Sequence, residues 1–275
     1  MNKNSEYFLT ASGLNFRYGV SQKNSEDESD LILKDVNIVL KKGFMYSIIG
    51  PNGSGKTTLI KCLNSSHRPQ SGEIFIFGED IKKMNASQVA RRVAYMPQRT
   101  VIDFDFSVWD IVLMGRHAQI LRFKGESAVD VAACREAMEL CGVWEFRDRN
   151  FNTLSGGEMQ KVVLARCIAQ ETDLLLLDEP LTYLDIRNQL EFLEILQEII
   201  RVKKVTVVAV VHDINMAYQY SDYVYVMSHG EVIAEGAPEE VINAANMQLC
   251  FGVCVDMLEN SNDGRKVIVP RIAKK

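Results

Sequence analysis

The eight residues Gly50-Pro51-Asn52-Gly53-Ser54-Gly55-Lys56-Thr57 restrict what this chain can fold into more than any other stretch. They fit the pattern G-x-x-x-x-G-K-[ST], and their surroundings suit it. Met45-Tyr46-Ser47-Ile48-Ile49 reads as a buried strand, and Thr58-Leu59-Ile60-Lys61-Cys62-Leu63 opens a helix. Glycines let backbone N–H groups close around a β-phosphate, and the helix N-terminus adds positive potential. Lys56 is placed to reach the β- and γ-phosphates, and the Thr57 hydroxyl to ligate Mg²⁺, with Thr58 next in line. Such a strand–loop–helix predicts nucleotide binding. What the nucleotide drives must be read elsewhere.

At 275 residues the chain can bury a sizeable core in one large or two small domains. A net charge of −5 gives no global basic footprint for nucleic acid, so none is expected as a partner. Met1-Asn2-Lys3-Asn4-Ser5-Glu6 lacks the charged-then-apolar pattern of a signal peptide. The longest apolar runs, Leu174–Leu177 and Val205–Val211, are far too short to span a bilayer. Any membrane role is therefore expected from the cytoplasmic side, through a partner. The scattered cysteines 62, 134, 141, 167, 250 and 254 read as reduced, small apolar residues. Cys250 and Cys254 alone make a weak metal pattern.

Residues 7–17, 33–40 and 73–78 alternate apolar and polar, which predicts a half-exposed antiparallel sheet. The acidic stretch 21–30 reads as a solvated loop. The runs at 174–177 and 205–211 read as strands buried on both faces, with helical periodicity over 158–170 and 186–202. That alternation implies a mostly parallel sheet flanked by helices. Residues 107–150 read as several helices with no buried strand, and 231–275 as short strands around a helix.

Asp178 and Glu179 close the apolar run at 174–177, at the strand edge where open α/β sheets bind ligands. An Asp there suits Mg²⁺, and the following Glu suits an attacking water. Further on, Leu154-Ser155-Gly156-Gly157-Glu158 forms a second glycine turn, leading into a helix expected to begin near Met159. It is another ready anion site.

Leu154–Glu158 resembles the signature motif of ATP-binding cassette (ABC) ATPases, and other marks of that family follow in its order. Tyr18 resembles the aromatic residue that stacks on adenine, and Gln98 the Q-loop glutamine. Leu184-Asp185 resembles the D-loop and His212 the switch histidine. Each has a plainer alternative: Tyr18 as strand packing, Gln98 as a loop amide, His212 as a structural imidazole, Asp185 as a helix cap. The resemblance implies an α/β P-loop NTPase core with a mostly parallel sheet and an N-terminal antiparallel β-subdomain. It places the ABC ATPase domain at 7–250, a helical subdomain inserted at about 99–155, and a short extension at 251–275.

The resemblance also implies a head-to-tail homodimer. Each ATP would lie between one copy's phosphate loop and the other copy's signature turn. Glu179 would then orient water, and Thr57, Gln98 and Asp178 would serve Mg²⁺. His212 would sense the γ-phosphate, while Ser155, Gly156, Gly157 and Asp185 would act on the partner's nucleotide. Three residues depart from the common pattern: Leu181 for Thr, which removes a polar contact near the D-loop; Thr57 for Ser; and Glu158 for Gln.

Val108 to Arg116, His212 to Ala217 and Cys250-Phe251-Gly252-Val253 resemble segments of importer ATPases for iron-siderophores, haem and cobalamin. Gly230 to Val241 resembles importers more broadly. The expected partners are an integral membrane permease, a second copy of the chain and, indirectly, a solute-binding protein. Another small solute as cargo, or a soluble ABC ATPase acting on ribosomes or DNA, are the rival readings. The coupling surface is expected around Gln98 to Arg116, with Trp109 and Arg116 as contact residues.

Overall fold

The structure, a computed structural model, describes residues 7–19, 30–120, 125–259 and 266–272. The acidic stretch 21–30 lies, Asp30 apart, outside the described residues, as do Met1–Glu6. The chain divides into two compact units, 1–82 with 209–275, and 83–208.

The first unit opens with β1 (Leu9–Phe16), β2 (Leu33–Leu40), β3 (Met45–Ile49), α1 (Lys56–Leu63), β4 (Ser71–Ile76) and β5 (Glu79–Asp80). β2, β1, β4 and β5 form the expected antiparallel sheet in that order. In β2 the buried residues Leu33, Val36, Ile38 and Leu40 share one face, so the alternation marks a strand wet on its other side. Every residue of β3 is buried, which is why its sequence does not alternate.

The second unit holds α2 (Ala86–Ala90), β6 (Val93–Met96), α3 (Val108–Leu113), α4 (Ala128–Leu140), α5 (Gly156–Ala169), β7 (Leu174–Leu177) and α6 (Ile186–Lys203). β6 and β7 run parallel, from Val93↔Leu174 to Met96↔Leu177. α6 buries Phe192, Leu193, Leu196, Ile199 and Ile200, a stripe at helical spacing. Its N-terminus is capped by Asp185, whose carboxylate accepts the Asn188 amide at 2.8 Å. β8 (Thr206–Val210) leaves this unit for the first. It starts beside the end of α5–β7, where the Thr206 amide meets the Asp173 carbonyl at 2.9 Å.

Back in the first unit, the Val211 amide reaches the Ile48 carbonyl of β3 at 3.2 Å. Then follow α7 (Ile214–Tyr220), β9 (Tyr223–Ser228), β10 (Glu231–Gly236), α8 (Pro238–Val241), α9 (Ala244–Phe251), β11 (Val253–Glu259) and β12 (Lys266–Ile272). β9 is parallel to β3, β10 is antiparallel to β9, and β11–β12 is a separate hairpin. β6, β9 and β11 were not foreseen from the sequence. Helix α5 begins at Gly156, three residues before the expected Met159. Among the described residues no helix is long and apolar enough to cross a membrane.

Candidate nucleotide site

In the first unit the phosphate loop joins β3 to α1, as predicted. Gly50 (φ +156°), Gly53 (φ +79°) and Gly55 (φ +100°) all have positive φ. At Gly50 a Cβ would lie 2.2 Å from the Met227 carbonyl oxygen, so only glycine fits there. α1 starts at Lys56 with no side chain capping it. Lys56 is 5% exposed, and its Nζ donates to the carbonyls of Gly50 (2.8 Å) and Pro51 (2.9 Å). Ser54 Oγ is the one buried side-chain polar atom without a hydrogen-bond partner among the described residues. Native folds rarely leave such a group unsatisfied. An orphaned hydroxyl, a buried ammonium and an uncapped helix start fit a bound polyphosphate. Pro51, Asn52 and Gly53 line the open side of the loop, Thr57 is half-buried, and Thr58 is buried.

Tyr18 is 55% exposed, and its hydroxyl is within 3.2 Å of His67 Nε2 and 3.4 Å of Thr58 Oγ1. Its ring stands edge-on to Phe16 (5.0 Å) and His67 (5.3 Å). The phenol is thereby hooked to α1 and its flanks are braced. His67 was not singled out in the sequence, since nothing local marks it as Tyr18's neighbour. His212 follows β8, is exposed, and precedes Asp213, the N-cap of α7.

In the second unit Asp178 and Glu179 stand at the carboxyl end of β7. Asp178 is buried, and Tyr95 of β6 donates its hydroxyl to Oδ2 at 3.4 Å. Gln98 Nε2 donates to Glu179 Oε2 at 2.6 Å, and Thr182 Oγ1 to the same oxygen at 3.3 Å. Glu179 (φ +51°) and Tyr183 (φ +68°) hold left-handed backbone, strained for residues with a side chain. Arg99 Nη2 donates to the Tyr183 hydroxyl at 2.7 Å, with the guanidinium 5.1 Å from that ring. Leu181 is buried, and the next residue, Thr182, still brings a hydroxyl to this turn.

The second glycine turn caps α5. Ser155 Oγ accepts the Glu158 amide (3.4 Å), and Glu158 accepts the Ser155 amide (2.7 Å) and hydroxyl (2.7 Å). The Ser155 amide and hydroxyl hold the Glu158 carboxyl below the usual carboxylate range. Gly156 faces open space, whereas a Cβ on Gly157 would lie 2.7 Å from the Asn188 side chain.

Arg116 corrects an expectation. It is 4% exposed, and its guanidinium meets Asp130 (2.9 Å), Glu171 (2.6 Å) and the Ala169 carbonyl (2.7 Å). Asp130 is lowered to about 2 by its bonds to Ser127, with help from Arg116. A buried arginine bonded to two carboxylates organises its own unit and offers no surface to a partner. Trp109 is half-buried against Trp144, edge-on at 6.4 Å. Exposed apolar surface lies earlier, at Val101 (78%) and Phe104 (72%). Val101 borders a cavity of about 230 Å³ together with Gln98, Phe151, Met159 and Tyr183. The six cysteines are free thiols, five of them buried.

Residues 33–182 match the ABC transporter family. An uncharacterized ABC transporter ATP-binding protein of Methanocaldococcus jannaschii is 37% identical over 95% of this chain and 97% of its own length. The ferric enterobactin transport ATP-binding protein of Escherichia coli is 34% identical over 87% of this chain and 88% of its own. Among solved structures, an inward-facing metal-chelate type ABC transporter superposes with a TM-score of 0.82 at 27% identity, covering 96% of this chain and 98% of that one.

Proposed function

This chain belongs to the ABC transporter family, and from that premise we propose that it is the ATP-hydrolysing subunit of an importer for a metal chelate of the iron-siderophore, haem or cobalamin type. The observation that carries the hydrolytic part is Glu179, a strained carboxylate at the end of a buried strand, gripped by Gln98 at 2.6 Å. The similarity to a ferric enterobactin transport subunit over 87% of the chain supports the cargo class.

Lys56, the loop Gly50–Thr58 and the ring of Tyr18 would hold ATP. Thr57, Gln98 and Asp178 offer the oxygen donors that Mg²⁺ prefers. Mg²⁺, when bound, neutralises phosphate charge. Glu179 accepts a hydrogen bond from the attacking water and aims its oxygen, once Gln98 has given up its hold on the carboxylate. His212 donates toward the γ-phosphate. Phosphoryl transfer needs positioning and charge stabilisation more than covalent help, which these residues supply once a second copy completes the site. Ser155, Gly156, Gly157 and Asp185 act on the nucleotide of a second copy in a head-to-tail dimer. The dimer works at the cytoplasmic face of the membrane under an integral permease fed by a solute-binding protein. Val101 and Phe104 are its contact to that permease, within a helical subdomain at about 99–155.

Two experiments test this. ATP turnover of the wild type against Glu179→Gln should fall by about a hundredfold or more, as loss of a water-orienting carboxylate requires; equal rates would sink the catalytic assignment. A tagged pull-down from detergent-solubilised native membranes should recover a stoichiometric polytopic protein. Ribosomal proteins or DNA-associated factors instead would mean a different machine.

A further inference from the structure

Two stretches that resemble importer ATPases have no part in the site so far: the segment after His212, and the Phe-Gly-Val element that leads into the last hairpin. In the first unit a side chain from the first of them is bonded to the hairpin into which the second leads. Asp213 caps α7, its Oδ1 accepting the amides of Asn215 (2.8 Å) and Met216 (3.2 Å). His212 is therefore bonded in sequence to a fixed helix cap. Asn215, in the first turn of that helix, turns its amide onto β12. Its Nδ2 donates to the Ile268 carbonyl at 3.0 Å, and its Oδ1 accepts the Ile268 amide at 2.7 Å.

One side chain thus satisfies both main-chain groups of a single strand residue, as a neighbouring strand would. Ile268 is 2% exposed, the most buried residue of β12. β12 in turn carries β11 through an unbroken register, Val253↔Ile272 to Glu259↔Lys266, reinforced by Arg271 on Asp256 at 2.7 Å. A two-stranded hairpin is marginal alone and depends on what it is fastened to. The demand on residue 215 is chemical. Asp lacks the donor for the Ile268 carbonyl, and an aliphatic side chain lacks both partners.

We propose that Asn215 is a positioning residue, fastening the C-terminal hairpin to the helix behind His212 and so fixing where His212 stands during ATP hydrolysis. The proposal rests on the role given to His212 above. The hairpin acts as a buttress, and its docking tunes turnover without touching nucleotide.

The test uses the full-length purified protein and steady-state ATP hydrolysis for the wild type, Asn215→Ala, Asn215→Asp, His212→Ala and the double variant His212→Ala/Asn215→Ala. For Asn215→Ala, kcat should fall about fivefold with KM for ATP changed by less than about twofold, the signature of an effect on the reacting state. Asn215→Asp, which keeps the acceptor for the Ile268 amide, should fall in between. In the His212→Ala background the Asn215→Ala change should cost nothing more, because its effect passes through the histidine. Amide hydrogen exchange at Ile268 should rise in Asn215→Ala, reporting the freed strand even if that variant is too unstable for kinetics. An unchanged kcat in Asn215→Ala, an equal loss in both backgrounds, or unchanged exchange at Ile268 would overturn the proposal. Wild-type turnover in His212→Ala would instead bring down the role of His212 itself, and the proposal with it.

Discussion

The turns Gly50–Thr57 and Ser155–Glu158 both bring glycines to the start of a helix, yet their helix ends are finished differently. The first has three glycines at positive φ, leaves α1 without a side-chain cap, and keeps the hydroxyl of Ser54 buried and unpartnered. The second has ordinary backbone at both glycines and closes on itself through a reciprocal Ser155–Glu158 cap. An open helix start with a lysine beneath it can take an anion by itself. A capped start holding a carboxylate cannot do so without first releasing Ser155. The difference suits the proposed division of roles, in which the first turn binds nucleotide within its own chain and the second completes a site on another copy.

The largest expected effect separates the two turns outright. Lys56→Ala should weaken ATP binding to the isolated chain by about a hundredfold, in line with loss of a phosphate-pairing charge, while Ser155→Ala should leave it within about twofold. Calorimetric titration checks both, and equal losses would erase the distinction. ATP-driven dimerisation should show the reverse sensitivity to Ser155.

Next comes backbone room. Gly157→Ala drives a Cβ to 2.7 Å from the Asn188 side chain, whereas Gly156→Ala meets nothing. Overpacking against a movable side chain should cost about 1 kcal/mol at Gly157, and Gly156→Ala should lie within about 0.5 kcal/mol of wild type. Urea unfolding of the two variants measures the gap.

A smaller effect is expected at the charge on the second turn. Glu158→Gln keeps the capping geometry but removes a carboxylate from an anion site. ATP-driven dimerisation should strengthen by about two- to fivefold, which sedimentation at fixed ATP would detect. Weaker dimerisation would show that the carboxylate helps rather than hinders.

The smallest concerns pH. Because the folded chain holds the Glu158 carboxyl below its usual value, its stabilising contribution is complete above the unfolded pKa of about 4.3 and is lost as pH falls through the lower folded value. The difference in melting temperature between wild type and Glu158→Gln should therefore hold steady above about pH 4.3 and shrink as pH falls from there through the lower folded value. A difference that persists at the acid end would assign it to packing instead.

How much of this was legible in sequence depends on how far apart the cooperating residues stand. The phosphate loop is one contiguous stretch, and its strand and helix carry their own patterns. The same holds for the Ser155–Glu158 cap, whose spacing fixes the start of α5 at Gly156 more firmly than the periodicity that pointed to Met159. β6 escaped notice because four residues before a proline are too few to show a period, and β9 and β11 because neither was separated from its flanking motifs. Arg116 was misread as surface because its partners Asp130 and Glu171 lie 14 and 55 residues downstream.

The sequence by itself determined the α/β class, the strand–loop–helix around residues 50–57 and the family, since local spacing dictates glycine φ and helix caps. Only the tertiary structure decided that Gln98 grips Glu179 across 81 residues, that Tyr18 is hooked to His67 across 49, and that Asn215 clasps Ile268 across 53. Those pairings arise from the stacking of strands and helices within each unit, and no local period records which distant residue will be the neighbour.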